Sequence, residues 1–216
     1  MYNPDHFRES DTEELISFIR SHPFGTLISP VAAGMPHITH IPFGVHQMAE
    51  GAYCLRAHLA RANPHCAALE HGARALAIFM GPHAYVSPAW YTVAPAVPTW
   101  NFSAVHVQGP VRLLSAEESL ITLRALTAEN EAHVGGSWSL DEQNPEYLAR
   151  MVQGIVGFEL QIELLEGKFK MSQNRSEADR VSICEALESR PISDSNSHET
   201  AGWVRHIDAH RRSGSR

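Results

Sequence analysis

The sequence predicts a mainly β protein with helices, an α+β fold built on a small antiparallel barrel. About six short segments alternate apolar and polar residues with the period of a strand, and turn residues separate them in hairpin succession. Helical segments stand at the ends of this series. They do not alternate regularly with the strands, as they would around a parallel sheet.

The first half of the chain is predicted to start with a helix and to continue in strands. Ser10 and Glu13 have the spacing of a capping box, and an apolar helical face follows them. Asn63 and Pro64 predict the start of a second helix that Gly72 ends. The predicted strands of this half are residues 24–29, 36–45, 53–58, 74–80 and 83–86, with a hairpin turn at 49–51.

The second half is predicted to contain one long helix, two shorter ones and the last strands. Val105 and Val107 alternate with His106 and Gln108, which predicts a strand reaching residue 114. A capping box at Ser115 starts the long helix. The other predicted elements are helix 117–133, helix 146–152, strand 155–165, segment 168–174 and helix 177–187. Ser, Asn and Asp enrichment then predicts a domain over residues 1–189 and a polar, flexible tail over 190–216.

Bulk properties restrict the class of protein. A chain of 216 residues suits one domain, and no apolar run reaches the ~20 residues of a membrane helix. We also expect no secretory signal peptide. The three cysteines form no CxxC pair and are odd in number, which indicates a reducing compartment and predicts a cytoplasmic protein without a structural metal site.

The formal charge of −7 bears on nucleic-acid binding, which depends on cations that neutralise phosphates. A basic segment does occur near the C-terminus, at Arg205, Arg211, Arg212 and Arg216. A solvated tail explains it better than a nucleic-acid arm. Direct DNA binding is therefore not expected.

A first candidate site is the segment from His37 to Phe43. Its two histidines are three residues apart, so on a strand they point to opposite faces and do not share a metal ion. Pro42 cannot donate to a sheet ladder, which predicts an edge strand with main-chain groups left for a ligand. The alternative is an ordinary edge strand whose polar groups are satisfied.

A second candidate site follows the strand that ends at His58. Arg61 stands just before the helix that Asn63 caps, and a helix N-terminus beside a guanidinium suits a phosphate. No glycine-rich loop accompanies it, so the site is neither a Walker loop nor a dinucleotide-binding turn. A capped helix beside a surface arginine is the alternative.

Two further segments carry polar groups in unusual settings. Residues 97–109 start a strand with Pro98, Trp100 and Asn101, and residues 168–174 send Lys168, Lys170 and Ser172 to one side. Either segment could serve an anionic ligand, and a solvated strand face also explains the lysines. Most of the fourteen histidines show no shared periodicity and are interpreted as surface or packing residues: His6, His22, His46, His65, His71, His133, His198, His206 and His210.

Several motifs in this order resemble the PaiB family of FMN-binding split-barrel proteins, often described as negative transcriptional regulators. The most specific are Val97-Pro98-Thr99-Trp100-Asn101 and Ser172-Gln173-Asn174-Arg175. The resemblance covers about residues 1–187. The other matching segments are Met1-Tyr2-x-Pro4, Phe24-Gly25-Thr26-Leu27, Thr39-His40-x-Pro42, Gly81-Pro82-His83-Ala84-Tyr85-Val86-Ser87, Ala104-Val105-His106-Val107-x-Gly109, Ile155-Val156-Gly157-Phe158 and Lys170-x-Ser172.

The resemblance implies a split antiparallel β-barrel of the FMN-binding type, a homodimer with FMN at the subunit interface. It places the strand of His37, Ile38, Thr39, His40 and Ile41 along the flavin ring. It places the ribityl and phosphate groups near His58, Arg61 and Asn63. Thr99, Trp100 and Asn101 would form a wall of the pocket, with Trp100 as a dimer anchor in the alternative, and Lys170 and Gln173 would be further donors.

The function implied is negative transcriptional regulation. No helix-turn-helix is recognisable in the sequence, so regulation through a protein partner is one expectation. A flavin-dependent oxidoreductase acting on a small molecule is the alternative, and whether the protein is an enzyme stays open. Haem handling is a weaker alternative, because some split-barrel relatives degrade haem.

Overall fold

The computed structural model describes residues 1–48 and 51–214, without the side chains of residues 70–72 and 211–214. The chain forms two compact units. Unit 1 comprises residues 1–15, 80–105 and the chain from Glu166 onward, and unit 2 comprises residues 16–79 and 106–165. The predicted domain boundary at residue 189 therefore falls inside unit 1. The predicted hairpin turn at 49–51 lies partly outside the described residues, at Ala49 and Glu50.

Nine strands and five α-helices make up the described chain. The strands are β1 Arg8–Glu9, β2 Phe24–Ser29, β3 His37–Pro42, β4 Gly44–Gln47, β5 Tyr53–Ala60, β6 Arg74–Val86, β7 Thr99–Leu113, β8 Ile155–Gln161 and β9 Leu164–Lys170. The helices are α1 Thr12–Ser21, α2 Ala116–Val134, α3 Pro145–Gln153, α4 Glu177–Glu188 and α5 Ser195–Gly214. The described 3₁₀ helices include Asp5–Phe7, Pro64–Gly72, Pro88–Trp90 and Leu140–Glu142. No helix in the described part of the chain is long and apolar enough to cross a membrane.

Unit 2 is built on antiparallel strands in the order β3-β2-β6-β7-β8-β5-β4. Its core is aromatic: Phe43 packs edge-on against Phe79 and Phe158, with ring centroids 5.3 and 6.2 Å apart. The close passage of β7 depends on Gly109, where an added Cβ would lie 1.9 Å from the Gln161 carbonyl oxygen. Any side chain at this position would push the chain segments apart.

A buried ion network crosses β5, β7 and β8 in unit 2. Glu159 is 2% exposed and accepts hydrogen bonds from Arg56 Nε and Nη2, at 2.9 and 2.8 Å, and from Arg112 Nη2 at 3.2 Å. Burial alone would raise the pKa of Glu159, but the two guanidinium groups outweigh it and hold the pKa below its usual range. The carboxylate is therefore charged and paired, as a buried charge must be.

Unit 1 contains β1, β9 and the adjoining part of β7, with β9 pairing with both β1 and β7. Helix α5 packs here: Phe169 of β9 lies edge-on to Trp203, with ring centroids 5.0 Å apart. Ala201, Val204 and Ile207 of α5 are buried. Their spacing of three residues places them on one face of the helix.

Helix α5 replaces part of the flexible tail that the composition predicted. The apolar residues on its buried face are few, and polar residues separate them in the sequence, so the segment has the composition of a linker. Tertiary packing decides the outcome here, as it often does for helices of low intrinsic propensity. Of the predicted basic segment, the structure describes the side chain of Arg205, which forms an ion pair with Glu188.

Four other boundaries differ from the predictions. Asp11, rather than Ser10, caps α1, because Asp11 Oδ1 accepts from the main-chain N–H groups of Glu13 and Glu14 at 2.8 and 3.1 Å. The predicted strand 36–45 breaks at Phe43 into β3 and β4. The two predicted strands 74–80 and 83–86 are one continuous strand, β6, and the predicted strand 155–165 divides into β8 and β9.

The three cysteines carry no disulfide bond. Cys54 in unit 2 and Cys184 in unit 1 are buried, whereas Cys66 is partly exposed. Burial, together with the charge of Glu159, raises the pKa of the Cys54 thiol to about 12. Burial also raises the pKa of the Cys184 thiol.

Candidate functional site

The first group of polar residues lies in unit 2, where β3 meets the 3₁₀ helix Pro64–Gly72. Asn63 caps this helix by accepting from the His65 main-chain N–H at 3.0 Å, as the sequence predicted, although the helix is 3₁₀ and not α. Thr39 Oγ1 lies 2.8 Å from His65 Nδ1 and accepts from Asn63 Nδ2 at 3.4 Å. The His37 and His65 rings stack with centroids 5.3 Å apart. We call His37, Thr39, Asn63 and His65 the β3 cluster.

His65 is the unusual member of the β3 cluster. It is 1% exposed, and its Nε2 is a buried polar atom without a hydrogen-bond partner in the described part of the chain. Burial, reinforced by the charge of His37, lowers the pKa of His65 to about 4, so the ring is neutral at physiological pH. Nε2 is a donor in one tautomer and an acceptor in the other. In either form a buried atom of this kind favours a polar ligand beside it.

The five predicted residues of β3 divide between its two faces. His37 and Thr39 point to the His65 side, and Ile41 is buried. Ile38 is 55% exposed and His40 lies 3.0 Å from Thr26 Oγ1, both on the opposite face. The prediction that the two histidines point apart is therefore confirmed. Among the described strands β3 pairs with β2 alone, so it is an edge strand, as Pro42 predicted.

Arg61 lies in the turn after β5, and part of its guanidinium group is already engaged. Nε donates to the Gln153 carbonyl and Nη2 to the Ile155 carbonyl, both at 2.7 Å. These bonds fix the plane of the guanidinium, and no described residue accepts a hydrogen bond from Nη1. On β5, just before this turn, burial lowers the pKa of His58, whose Nδ1 is also buried without a partner among the described residues.

A second group of polar residues lies in unit 1, where the start of β7 meets the end of β9. Lys170 Nζ donates to Thr99 Oγ1, and Ser172 Oγ donates to Asn101 Oδ1 at 3.0 Å. Asn101 is fully buried, and its Nδ2 has no partner in the described chain. We call Thr99, Asn101, Lys170 and Ser172 the Lys170 cluster.

The Lys170 cluster is electropositive. Burial lowers the pKa of Lys170, and the charges of Lys168 and Arg175 lower it further. An anion or an electron-rich polar edge beside Lys170 would offset this repulsion. Ser172 has φ of 61°, a left-handed conformation that is uncommon for a residue with a side chain and that concentrates at functional sites.

Trp100 does not lie with its neighbours in this cluster. Strand alternation buries Asn101 and leaves Trp100 53% exposed, beside the rings of His83 and Tyr85 at centroid distances of 6.3 and 6.1 Å. Asn101 and Trp100 therefore cannot line the same wall. Gln173, also predicted, has both ends of its amide bound locally, to the Met171 N–H and the Phe169 carbonyl.

Two residues of these clusters escaped the sequence analysis. His65 was grouped with the surface and packing histidines, although its place two residues after a helix cap could have indicated that its position is fixed. Ser172 was assigned to a polar stripe, and no sequence pattern signals its positive φ, because that conformation is more often occupied by glycine or asparagine.

Solved flavin proteins share this fold. The FAD and heme binding protein from Mycobacterium smegmatis matches with a TM-score of 0.58 and 17% identity, over 82% of this chain and 80% of that one. The flavocytochrome Anf3 from Azotobacter vinelandii matches with a TM-score of 0.59 and 18% identity, over 81% of this chain and 75% of that one. These similarities confirm the predicted fold class, a mainly β split barrel with helices.

Sequence comparison gives the family. The family described as "Putative FMN-binding domain" matches residues 1–164, and this chain belongs to it. The protease synthase and sporulation protein PAI 2 of Bacillus subtilis (strain 168) is 34% identical over 188 residues, which cover 87% of this chain and 89% of that protein. The resemblance to the PaiB family and the expectation of FMN as cofactor are thereby confirmed.

Proposed function

We propose that this protein is an FMN-binding negative transcriptional regulator of the PaiB type, and that the β3 cluster holds the flavin ring. The observation that carries the site is the buried, unpartnered Nε2 of His65 beside an edge strand. The isoalloxazine ring offers amide N–H and C=O groups along one edge, which suit both a neutral imidazole and free main-chain groups. Bound FMN would supply electron or hydride transfer.

The phosphate end of FMN is assigned to Arg61 and Asn63. The two carbonyls that hold Arg61 orient its guanidinium before any ligand arrives, and Nη1 is left to meet a phosphate oxygen. The start of the 3₁₀ helix after Asn63 adds main-chain N–H groups. His58 lies on β5, just before these groups in the chain, and its buried Nδ1 suits a ribityl hydroxyl.

The Lys170 cluster of unit 1 is the competing candidate for contacts with the flavin. Lys170 and the amide of Asn101 present donors in a partly buried, positively charged setting. This arrangement suits the electron-rich carbonyl edge of a flavin as well as it suits a phosphate. Lys170 is therefore the competitor of Arg61 for the phosphate, and ligands with and without that group distinguish the two.

A homodimer is part of this proposal. On the face of unit 2 that carries Ile38, the side chains of Ile28, Leu76 and Ile78 are also partly exposed, which leaves an apolar sheet face beside an open strand edge. An apolar face and an edge of this kind favour association with a second copy. In unit 1, taken separately, exposed Trp100 is an aromatic side chain of the kind that anchors interfaces.

Regulation through a protein partner fits the charge better than direct DNA binding. The net charge of −7 opposes a phosphate backbone. We also propose a cytoplasmic location, because the three cysteines are odd in number and form no CxxC pair.

A flavin-dependent oxidoreductase is the second candidate function. The observation in its favour is Lys170, a partly buried ammonium that donates to Thr99 Oγ1 and whose pKa is lowered by burial. A regulator needs the flavin to be bound, whereas an oxidoreductase also needs this proton donor. With FMN at a saturating concentration, Lys170→Gln should therefore abolish turnover by an enzyme and spare repression by a regulator.

The first test is the absorbance spectrum and mass of the small molecule that co-purifies with the protein, for which we expect FMN. A haem Soret band would contradict the proposal. The second test is repression of a reporter by the wild type, by His65→Leu and by His133→Ala, a control that removes an exposed imidazole from α2. We expect His65→Leu to lose both FMN and repression. Full repression without FMN would show that the flavin is not part of the regulatory function.

A further inference from the structure

Two histidines and a glutamate of unit 1 that belong to neither cluster converge. His206 and His210 lie one turn apart on α5, and Glu14 lies in the first turn of α1. His206 Nε2 is 2.9 Å from Glu14 Oε1, and the ligand atoms of the three residues all lie within 4.8 Å of one another. The two histidine rings have centroids 5.4 Å apart.

The spacing and the types of these groups are those of a metal site. Residues four apart on a helix project from the same face, so both imidazoles can reach one ion. Two imidazole nitrogens and one carboxylate oxygen are ligands that Zn²⁺ accepts. A tetrahedral zinc ion with ligands at about 2.1 Å holds neighbouring ligand atoms about 3.4 Å apart. Small side-chain rotations would bring the three groups to that distance.

The backbone that carries the three ligands is held in place on both sides. Helix α5 is anchored by buried Val204 and Ile207 and by the ion pair of Asp208 with Arg180, at 2.8 Å. Helix α1 is capped by Asp11 and buries Leu15 next to the ligand Glu14. Because the backbone at these residues is already held in place, a metal ion would not have to order it on binding.

We propose that Glu14, His206 and His210 bind one zinc ion and that the ion joins α1 to α5. Three protein ligands leave a fourth tetrahedral position for water or a small anion. His210 also lines a cavity of about 140 Å³ with Phe7, Phe169 and Gln173, which provides room for such a ligand. The ion is separate from the flavin assignment, because none of its three ligands belongs to either cluster.

The test is isothermal titration of zinc chloride into the full-length, FMN-loaded protein. We expect one ion per chain. Loss of an outer partner of a metal ligand already weakens binding 10–100-fold, so His210→Ala should weaken it by about 100-fold or more. Glu14→Gln removes the ligand charge with little change in shape and should act in the same direction. His133→Ala, which removes an exposed histidine of unit 2, is the matched control and should bind zinc as the wild type does.

Thermal unfolding provides a second measurement. Zinc that binds the folded chain should raise Tm of the wild type and of His133→Ala, and should leave Tm of His210→Ala and Glu14→Gln unchanged. The proposal is wrong if the wild type binds no zinc, or if His210→Ala and Glu14→Gln bind it as tightly as the wild type. If His210→Ala does not fold, Glu14→Gln alone decides. A hydrogen-bonded helix contact without a metal role would give no change of Tm with zinc in any variant.

Discussion

Replacing Arg61 by alanine separates its structural bonds from its proposed contact with the phosphate. The guanidinium donates to two main-chain carbonyls, of Gln153 and Ile155. At an exposed position each such bond contributes about 0.5–1 kcal/mol, so Arg61→Ala should lower the free energy of unfolding by about 1–2 kcal/mol. This loss is expected whether or not Arg61 binds a phosphate, and denaturant unfolding of the flavin-free protein measures it.

The ligand comparison isolates the phosphate. FMN and riboflavin differ only in that group, and one charge-assisted hydrogen bond contributes roughly 1.5–3 kcal/mol, which corresponds to about ten- to a hundredfold in Kd. Arg61→Ala should therefore raise Kd for FMN by this factor and leave Kd for riboflavin within about twofold. Flavin-fluorescence titrations give both constants. Arg61→Lys keeps the positive charge but lacks the planar set of N–H donors of a guanidinium, and it should give an intermediate loss of FMN affinity.

Lys170→Gln is the matched variant of the competing site. If Lys170 meets the flavin ring and not the phosphate, its loss should weaken FMN and riboflavin by similar factors. Equal losses for the two flavins in Arg61→Ala, with an FMN-selective loss in Lys170→Gln, would refute the assignment of the phosphate to Arg61. Arg61 would then be a structural residue that ties the turn after β5 to the junction of α3 and β8.

Four other outcomes are expected. Gly109→Ala should destabilise the protein by about 2–3 kcal/mol in denaturant unfolding, because its Cβ would meet the Gln161 carbonyl oxygen at 1.9 Å. The control is Gly202→Ala, at a helical position with open space around it, which should be neutral or slightly stabilising. Folding lowers the pKa of His65 to about 4, so between pH 6.5 and 4 the unfolded chain binds a proton that the folded chain does not bind. The free energy of unfolding should therefore fall as the pH falls from 6.5 towards 4. If His65→Gln shows the same dependence of this free energy on pH between 6.5 and 5, His65 is not its source. Light scattering should give a molar mass of about 48 kDa, twice the 23.9 kDa of one chain. Ile38→Lys should shift this mass towards that of the monomer. A wild-type monomer that retains FMN would exclude the dimer. A gel shift should show no nanomolar DNA binding at physiological salt. The control for a positive result is Arg205→Gln and not removal of residues 190–216, because that deletion would take away Val204 and Ile207, the buried residues of α5, and expose the part of unit 1 against which they pack.

The strands of the fold could be predicted from local patterns, and their continuity could not. Strand β2 has the predicted bounds, and the capping box at Ser115 starts α2 as expected. By contrast two strands were predicted, 74–80 and 83–86, whereas Gly81 and Pro82 between them are both buried inside the continuous strand β6. A proline interrupts a strand when a neighbouring strand would need its missing N–H for pairing. Which strands are neighbours depends on the assembled sheet, and the local sequence does not encode it.

The candidate site shows the same division. Alternation correctly separated His37 from His40, because strand geometry alone fixes which way side chains point. It equally separates Trp100 from Asn101, which the family motif had grouped together. The contacts of Thr39 with His65 and of Asn101 with Ser172 join residues 26 and 71 positions apart, and no local pattern encodes such pairs. The same reason hid His206 and His210, whose partner Glu14 lies 192 positions from His206.

The placement of the three cysteines gives the protein built-in reporters of local opening. Cys54 and Cys184 are buried in different units, with thiols whose raised pKa values make them poor nucleophiles while the chain is folded. A thiol-reactive probe should therefore label Cys66 at once and the other two only when their surroundings open. Mass spectrometry of pulse-labelled protein would then time the exposure of each unit separately, without a single engineered residue. Adding FMN during the pulse would show which unit the cofactor stabilises.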